Sequence, residues 1–107
     1  MKKQYSLKSK IQFNKILKNG KKIKSKYFLI SYQKNNEFKI GISIPKRLGN
    51  AVFRNYNKRV IKNIISKINV YDKKFLIVIV ARKSFIELKE LSDKERILKQ
   101  EINKIKN

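Results

Sequence analysis

The sequence predicts an α+β fold: a single small domain in which one mixed, open β-sheet carries packed helices, in the order α-β-β-(β)-α-β-α. Three observations lead there. Apolar stripes of helical spacing follow capping residues at three places, Phe38 to Ile44 alternates apolar and polar residues, and Phe75 to Ala81 is apolar without a break. The 107 residues fit one domain, 1–107, and 41% apolar residues with 10% aromatic suffice for its core.

The first helix is expected over about residues 9 to 19. Ser9-Lys10-Ile11-Gln12 has capping-box spacing, Phe13, Ile16 and Leu17 follow at i, i+3, i+4, and Gly20 supplies the stop. Tyr27 to Tyr32 is aromatic and β-branched, and Phe38, Ile40, Ile42 and Ile44 fall on one face of a second strand. Asn35-Asn36 between them is turn chemistry, which predicts an antiparallel hairpin, and Pro45 ends it by removing a ladder donor. The longest helix then opens with Asn50 as cap and runs to about Ile68. Phe75 to Ala81 reads as a strand covered on both faces. A second capping box, Ser92-Asp93-Lys94-Glu95, leads into a last helix with Leu98, Ile102 and Ile105 on one side.

Charge narrows the partner. With 29 Lys and Arg against 7 Asp and Glu, the formal net charge is +22, so any polyanion within a Debye length is attracted. Nucleic acid ranks first among partners and an anionic membrane surface second. The charge is also unevenly placed. Residues 1 to 36 hold eleven Lys and no acid, residues 38 to 71 hold eight Lys or Arg and no acid, and from Ser84 onward six bases nearly cancel five acids. A Lys-rich coding bias does not exclude acids from 34 consecutive residues, so the asymmetry marks a binding face.

Absences exclude several chemistries. Without Cys there are no disulfides, zinc–thiolate sites or thiol nucleophiles, and without His the commonest general base is missing. Phe75 to Ala81 is far too short to span a membrane, and no apolar stretch follows the basic start. The expectation is a cytoplasmic protein with no membrane partner and no small-molecule substrate.

The informative stretch runs from Pro45 to Lys62. On a helix, Phe53, Tyr56, Val60, Ile64 and Ile68 share one side, while Arg54, Lys58 and Lys62 recur at i+4 and cluster with Asn55 and Arg59 on another. Like charges at that spacing each cost a few tenths of a kcal/mol, a penalty that a phosphate backbone relieves. Lys46 and Arg47 lie just before the helix start, whose free N–H groups also suit a phosphate. The bland reading of all this is a solvated face in a Lys-rich chain.

Gly49-Asn50-Ala51-Val52-x-Arg54-Asn55-x-x-Lys58-Arg59 resembles the signature of the bacterial ribonuclease P protein family, which continues to a further Arg where this chain has Lys62. Phe13-x-x-Ile16-Leu17-x-x-Gly20, Lys39 to Lys46, and Ile79-Val80-Ala81-Arg82-Lys83 are similar to the flanking parts, so the likeness covers residues 5 to about 85. It implies the protein subunit of an endoribonuclease whose catalyst is RNA and which removes the 5′ leader of precursor tRNA. No residue of the protein would be catalytic and none would bind metal or cofactor; Mg2+ would be held by the catalytic RNA.

The resemblance also implies two surfaces. Lys46, Arg47, Asn50, Arg54, Asn55, Lys58, Arg59, Lys62, Arg82 and Lys83 would contact ribonuclease P RNA. A cleft between the first helix and the open sheet face would take the single-stranded leader on Phe13, Leu17, Ser31 and Tyr32. The family usually offers aromatic residues where this chain has Leu17 and Ser31, so leader stacking is expected to be either weaker or supplied by neighbours such as Tyr32. Phe28 is expected in the core. The leading alternative is a ribosomal RNA-binding protein, which fits size and charge equally; a DNA-architectural protein or a protein-only nuclease fits less well.

Overall fold

The computed structural model describes residues 5–7, 9–68 and 72–105. Its elements are α1 (Lys10–Asn19), β1 (Lys21–Lys24), β2 (Phe28–Lys34), β3 (Lys39–Ser43), α2 (Ala51–Lys67), β4 (Phe75–Ala81), α3 (Lys83–Ile86) and α4 (Leu91–Asn103). The α+β expectation holds, with four strands in one mixed sheet. Ser9 and Asn50 cap α1 and α2, accepting from Gln12 N–H at 3.2 Å and Phe53 N–H at 2.9 Å.

The expected hairpin does not form. The strand order is β1-β2-β4-β3, so β4 lies between the two strands that the Asn35-Asn36 turn joins. β4 runs antiparallel to β2, pairing Phe28 with Ala81, and parallel to β3, pairing Gly41 with Val78. The reason is β4 itself: six of its seven residues are buried, and a central position pairs both of its edges while leaving both faces covered. The Asn35-Asn36 segment still turns, with Asn35 Nδ2 donating to Glu37 O at 2.9 Å, but Asn35 N–H donates to Lys74 O rather than across a hairpin. Helix α2 makes the crossover that a parallel pair requires.

The additional strand stands not after the two expected strands but before them, as β1, Lys-Lys-Ile-Lys, where a single apolar residue gives no alternation to read. Its charged side chains suit a sheet edge. At the other edge, Leu7 N–H donates to Ile40 O at 2.9 Å. Two further elements differ from expectation. α4 starts at Leu91 with Glu90 at its cap and no side-chain capping bond, so Ser92 lies inside the helix rather than at its cap, and Glu95 pairs with Lys67 at 3.1 Å. The short α3 carries Phe85 into the core against Phe28, their centroids 4.5 Å apart.

Strand alternation divides the interior. Phe28, Ile30, Ile40, Ile77 and Ile79 face α2 and α4, meeting Ile61, Ile64, Ile65, Leu98 and Ile102. On the other face Leu76 and Val78 meet Ile16, with Phe13, Leu17 and Leu7 half-buried around them. α1 is held to this face by Gly20, where a Cβ would stand 2.7 Å from Ile16 O and 2.9 Å from Tyr32 O. Both neighbours are backbone and cannot swing aside. Gly20→Ala is therefore expected to destabilise the domain by about 1–3 kcal/mol, read as a fall of roughly 5–20 °C in thermal unfolding.

Candidate nucleic-acid interface

The segment before α2 is shaped by contact between Gly49 and Phe53. A Cβ on Gly49 would lie 2.3 Å from Phe53 Cδ2, so the absent side chain is what lets the ring fold back over the helix entrance. Lys46, Arg47 and Leu48 form a single 3-10 turn there, leaving the first two exposed. Asn50 is exposed, yet its Oδ1 is engaged by the cap, so that oxygen serves the helix rather than a ligand.

The buried side of α2 is not the one the apolar spacing indicates. Asn57, Ile61, Ile64 and Ile65 face the core, whereas Tyr56 is 64% and Phe53 38% exposed. The helix is turned by about 60° relative to the Phe53-Tyr56-Val60 ridge. Asn57 permits this because its Nδ2 donates to Phe53 O at 3.0 Å, so the buried amide is satisfied within its own helix.

This rotation sorts the cations. Asn55, Arg59 and Lys62 point outward and are exposed, while Arg54 and Lys58 are half-buried on the shoulder of α2 turned away from α4. Arg54 Nε is buried and donates to no group among the described residues. Among the described residues, carboxylate partners are found for Lys39, Lys67, Arg96 and Lys104, and for none of Lys46, Arg47, Arg54, Lys58, Arg59, Lys62, Arg82 or Lys83. Arg82 and Lys83 are exposed at the start of α3, and Lys83 lines an open hollow with Arg47, Leu48 and Phe53. Ten basic or amide residues expected at one surface thus lie along α2, the turn before it and the start of α3.

The second expected site is only partly assembled. Phe13 lies over Gly41, where a Cβ would be 2.9 Å from its Cδ2 and Cε2 atoms. Leu17 packs on the same face, half-buried. Ser31 lies beneath them in the row Lys22, Ser31, Val78, Gly41, fully buried, its Oγ without a partner among the described residues. Tyr32 does not join them. It faces the α2 side, edge-on to Phe75 at 5.8 Å, because consecutive strand residues point to opposite faces. A neighbour in sequence therefore cannot replace the ring missing at Ser31. Lys22 and Lys24 do border this face, exposed on the edge strand, and the sequence reading missed them with that strand. No group of His, Cys, Asp or Glu suited to a metal ion occurs among the described residues, and no helix there is long and apolar enough to cross a membrane.

Residues 1–106 match the family described as Ribonuclease P. The chain is 43% identical over 112 residues to the ribonuclease P protein component of Mycoplasmopsis synoviae, covering 99% of this chain and 100% of that protein. Its fold is similar to the solved RNase P protein of Thermotoga maritima, with a TM-score of 0.85 at 27% identity, covering 95% of this chain and 98% of the other. The Staphylococcus aureus RNase P protein gives a TM-score of 0.81 at 28% identity, covering 96% and 98%.

Proposed function

This chain belongs to the ribonuclease P protein family, the protein component of the holoenzyme that cleaves tRNA precursors, and from that premise we propose how it divides its work between two RNAs. The cation-bearing side of α2 docks on the catalytic RNA. The α1 face of the sheet holds the single-stranded 5′ leader of the precursor. One observation carries the reading: Arg54, Lys58, Arg59 and Lys62 share a capped, well-anchored helix, and none of them has a carboxylate partner among the described residues.

The chemistry is that of binding. Guanidinium and ammonium groups neutralise phosphates and release counterions, and Asn55 can donate to and accept from a base or sugar edge. Asn50 contributes mainly by holding the helix start, where unpaired N–H groups favour a phosphate. On the α1 face, the Phe13 ring offers a surface for one leader base, and Lys22 and Lys24 follow the backbone. Ser31 is the floor of this cleft rather than a contact, since its side chain is covered. A leader exists only on the precursor, so holding it favours precursor over mature tRNA. The Mg2+ ions at the scissile phosphate belong to the catalytic RNA in this reading; the protein screens phosphate repulsion and lowers the concentration of Mg2+ that the holoenzyme needs.

The test is reconstitution. Added to its folded catalytic RNA at low Mg2+, the protein is expected to accelerate removal of the 5′ leader, with the benefit shrinking as Mg2+ rises. Absence of any stimulation with correctly folded RNA would overturn the reading.

A further inference from the structure

Between α2 and α4 runs an open groove of about 510 Å3. Tyr56, Val60 and Leu91 form its apolar walls, and Tyr56 and Leu91 are left 64% and 50% exposed. Lys67, Lys89 and Lys94 stand around it, and no acid is among the residues that line it. Lys67 is engaged by Glu95 at 3.1 Å, whereas Lys89 and Lys94 have no carboxylate partner among the described residues. Partial burial holds the Lys94 ammonium below the ordinary lysine value, beside the Phe85 ring at 5.6 Å, so a nearby anion would relieve its desolvation.

An exposed aromatic face between apolar walls, ringed by cations, matches the two halves of a nucleotide: a flat base and a charged phosphate. The volume falls within the ~300–1,000 Å3 range of sites that enclose small ligands. The groove is also continuous with the outer cations of α2. Tyr56 lies three residues before Arg59 and Asn63 four after it, which makes both its neighbours on the helix surface. The α1 face lies on the far side of the sheet, so the leader segment held there is not the one that would lie in this groove.

We propose that this groove receives one unstacked nucleotide of the catalytic RNA, its base stacked on Tyr56 between Val60 and Leu91 and its phosphate between Lys89 and Lys94. The inference rests on the docking of α2 on that RNA and adds to it a point of specific recognition. It makes Tyr56 a residue whose ring, rather than charge, contributes to assembly.

The experiment measures equilibrium binding of the full chain to its catalytic RNA at one fixed salt and Mg2+ concentration. Tyr56→Ala is expected to weaken binding by roughly 5- to 150-fold, the range lost with one base–aromatic stack. Tyr56→Phe keeps the ring and is expected to bind within about twofold of the parent, since stacking does not use the hydroxyl. The pair Lys89→Ala and Lys94→Ala together should lower the salt slope by roughly 0.7, the share of the one phosphate they hold. Thermal unfolding of Tyr56→Ala should stay close to the parent, because its ring is largely exposed. Arg59→Ala separates the two levels of the argument. If Arg59→Ala weakens binding and Tyr56→Ala does not, the groove serves something else, a protein partner included, and this inference is wrong while the docking of α2 stands. If neither matters, the docking itself is wrong. A Tyr56→Ala defect confined to precursor tRNA affinity in saturated holoenzyme would also overturn it, because the occupant would then be the substrate.

Discussion

Replacing Arg54 by alanine is expected to weaken assembly with the catalytic RNA by roughly 10- to 150-fold, the loss that follows from removing a charge-assisted hydrogen bond of about 1.5–3 kcal/mol. The argument starts from position. Arg54 is half-buried where α2 turns away from α4, its Nε is shielded from solvent, and no group among the described residues accepts from it. A guanidinium already partly stripped of water is poised to gain more from a phosphate at its terminal nitrogens than an exposed lysine does. Arg54→Lys should recover only part of the affinity, since the ammonium keeps charge and loses the planar fork. The folded protein itself supplies the control. Removing an unsatisfied buried donor relieves a desolvation cost, so thermal unfolding of Arg54→Ala should be unchanged or slightly higher. A marked fall in stability with unchanged RNA affinity would assign Arg54 to the fold instead. Phe13→Ala offers the contrast: at temperatures well below unfolding it should leave RNA assembly nearly intact and erode the preference for precursor over mature tRNA. Identical defects from the two substitutions would contradict the two-surface arrangement.

Phe28→Ala is expected to cost about 3–5 kcal/mol, a large share of the 5–15 kcal/mol that holds an ordinary domain together. Phe28 is fully buried, packs against Phe85 at 4.5 Å, and joins strand β2 to the short α3, so its removal opens a cavity that several elements border. Thermal unfolding should fall by roughly 15–30 °C. The net charge of +22 adds self-repulsion that the core must already overcome. Saturating catalytic RNA should therefore restore part of the lost stability, because a ligand that binds only the folded form pulls the equilibrium towards it. A loss below about 1 kcal/mol would mean that Phe28 is not the centre of this core.

Much of the candidate site is legible in the sequence because its signals are local. A cap at Asn50, cations recurring at i+4 and the absence of acids over residues 38 to 71 are properties of neighbouring residues on one helix. The Gly49 to Arg59 signature pointed to the family that the whole-chain match then established. The side of α2 that is buried was not legible, since Asn57 enters the core only because Phe53 O accepts its amide. Tyr32 lies off the α1 face for the same kind of reason. Its chemistry suits the role, and the strand pleat turns it away.

Sequence alone determined the α+β class, the two helix caps, the apolar central strand and the unpaired cations of α2, because each depends on spacing within one element. Only the tertiary structure decided that β4 parts β2 from β3, that Lys22 and Lys24 form an edge strand, and that Arg54 is sheltered while Arg59 is exposed. Those outcomes turn on which surfaces bury together, and burial is a contest among distant segments that no window of neighbouring residues contains.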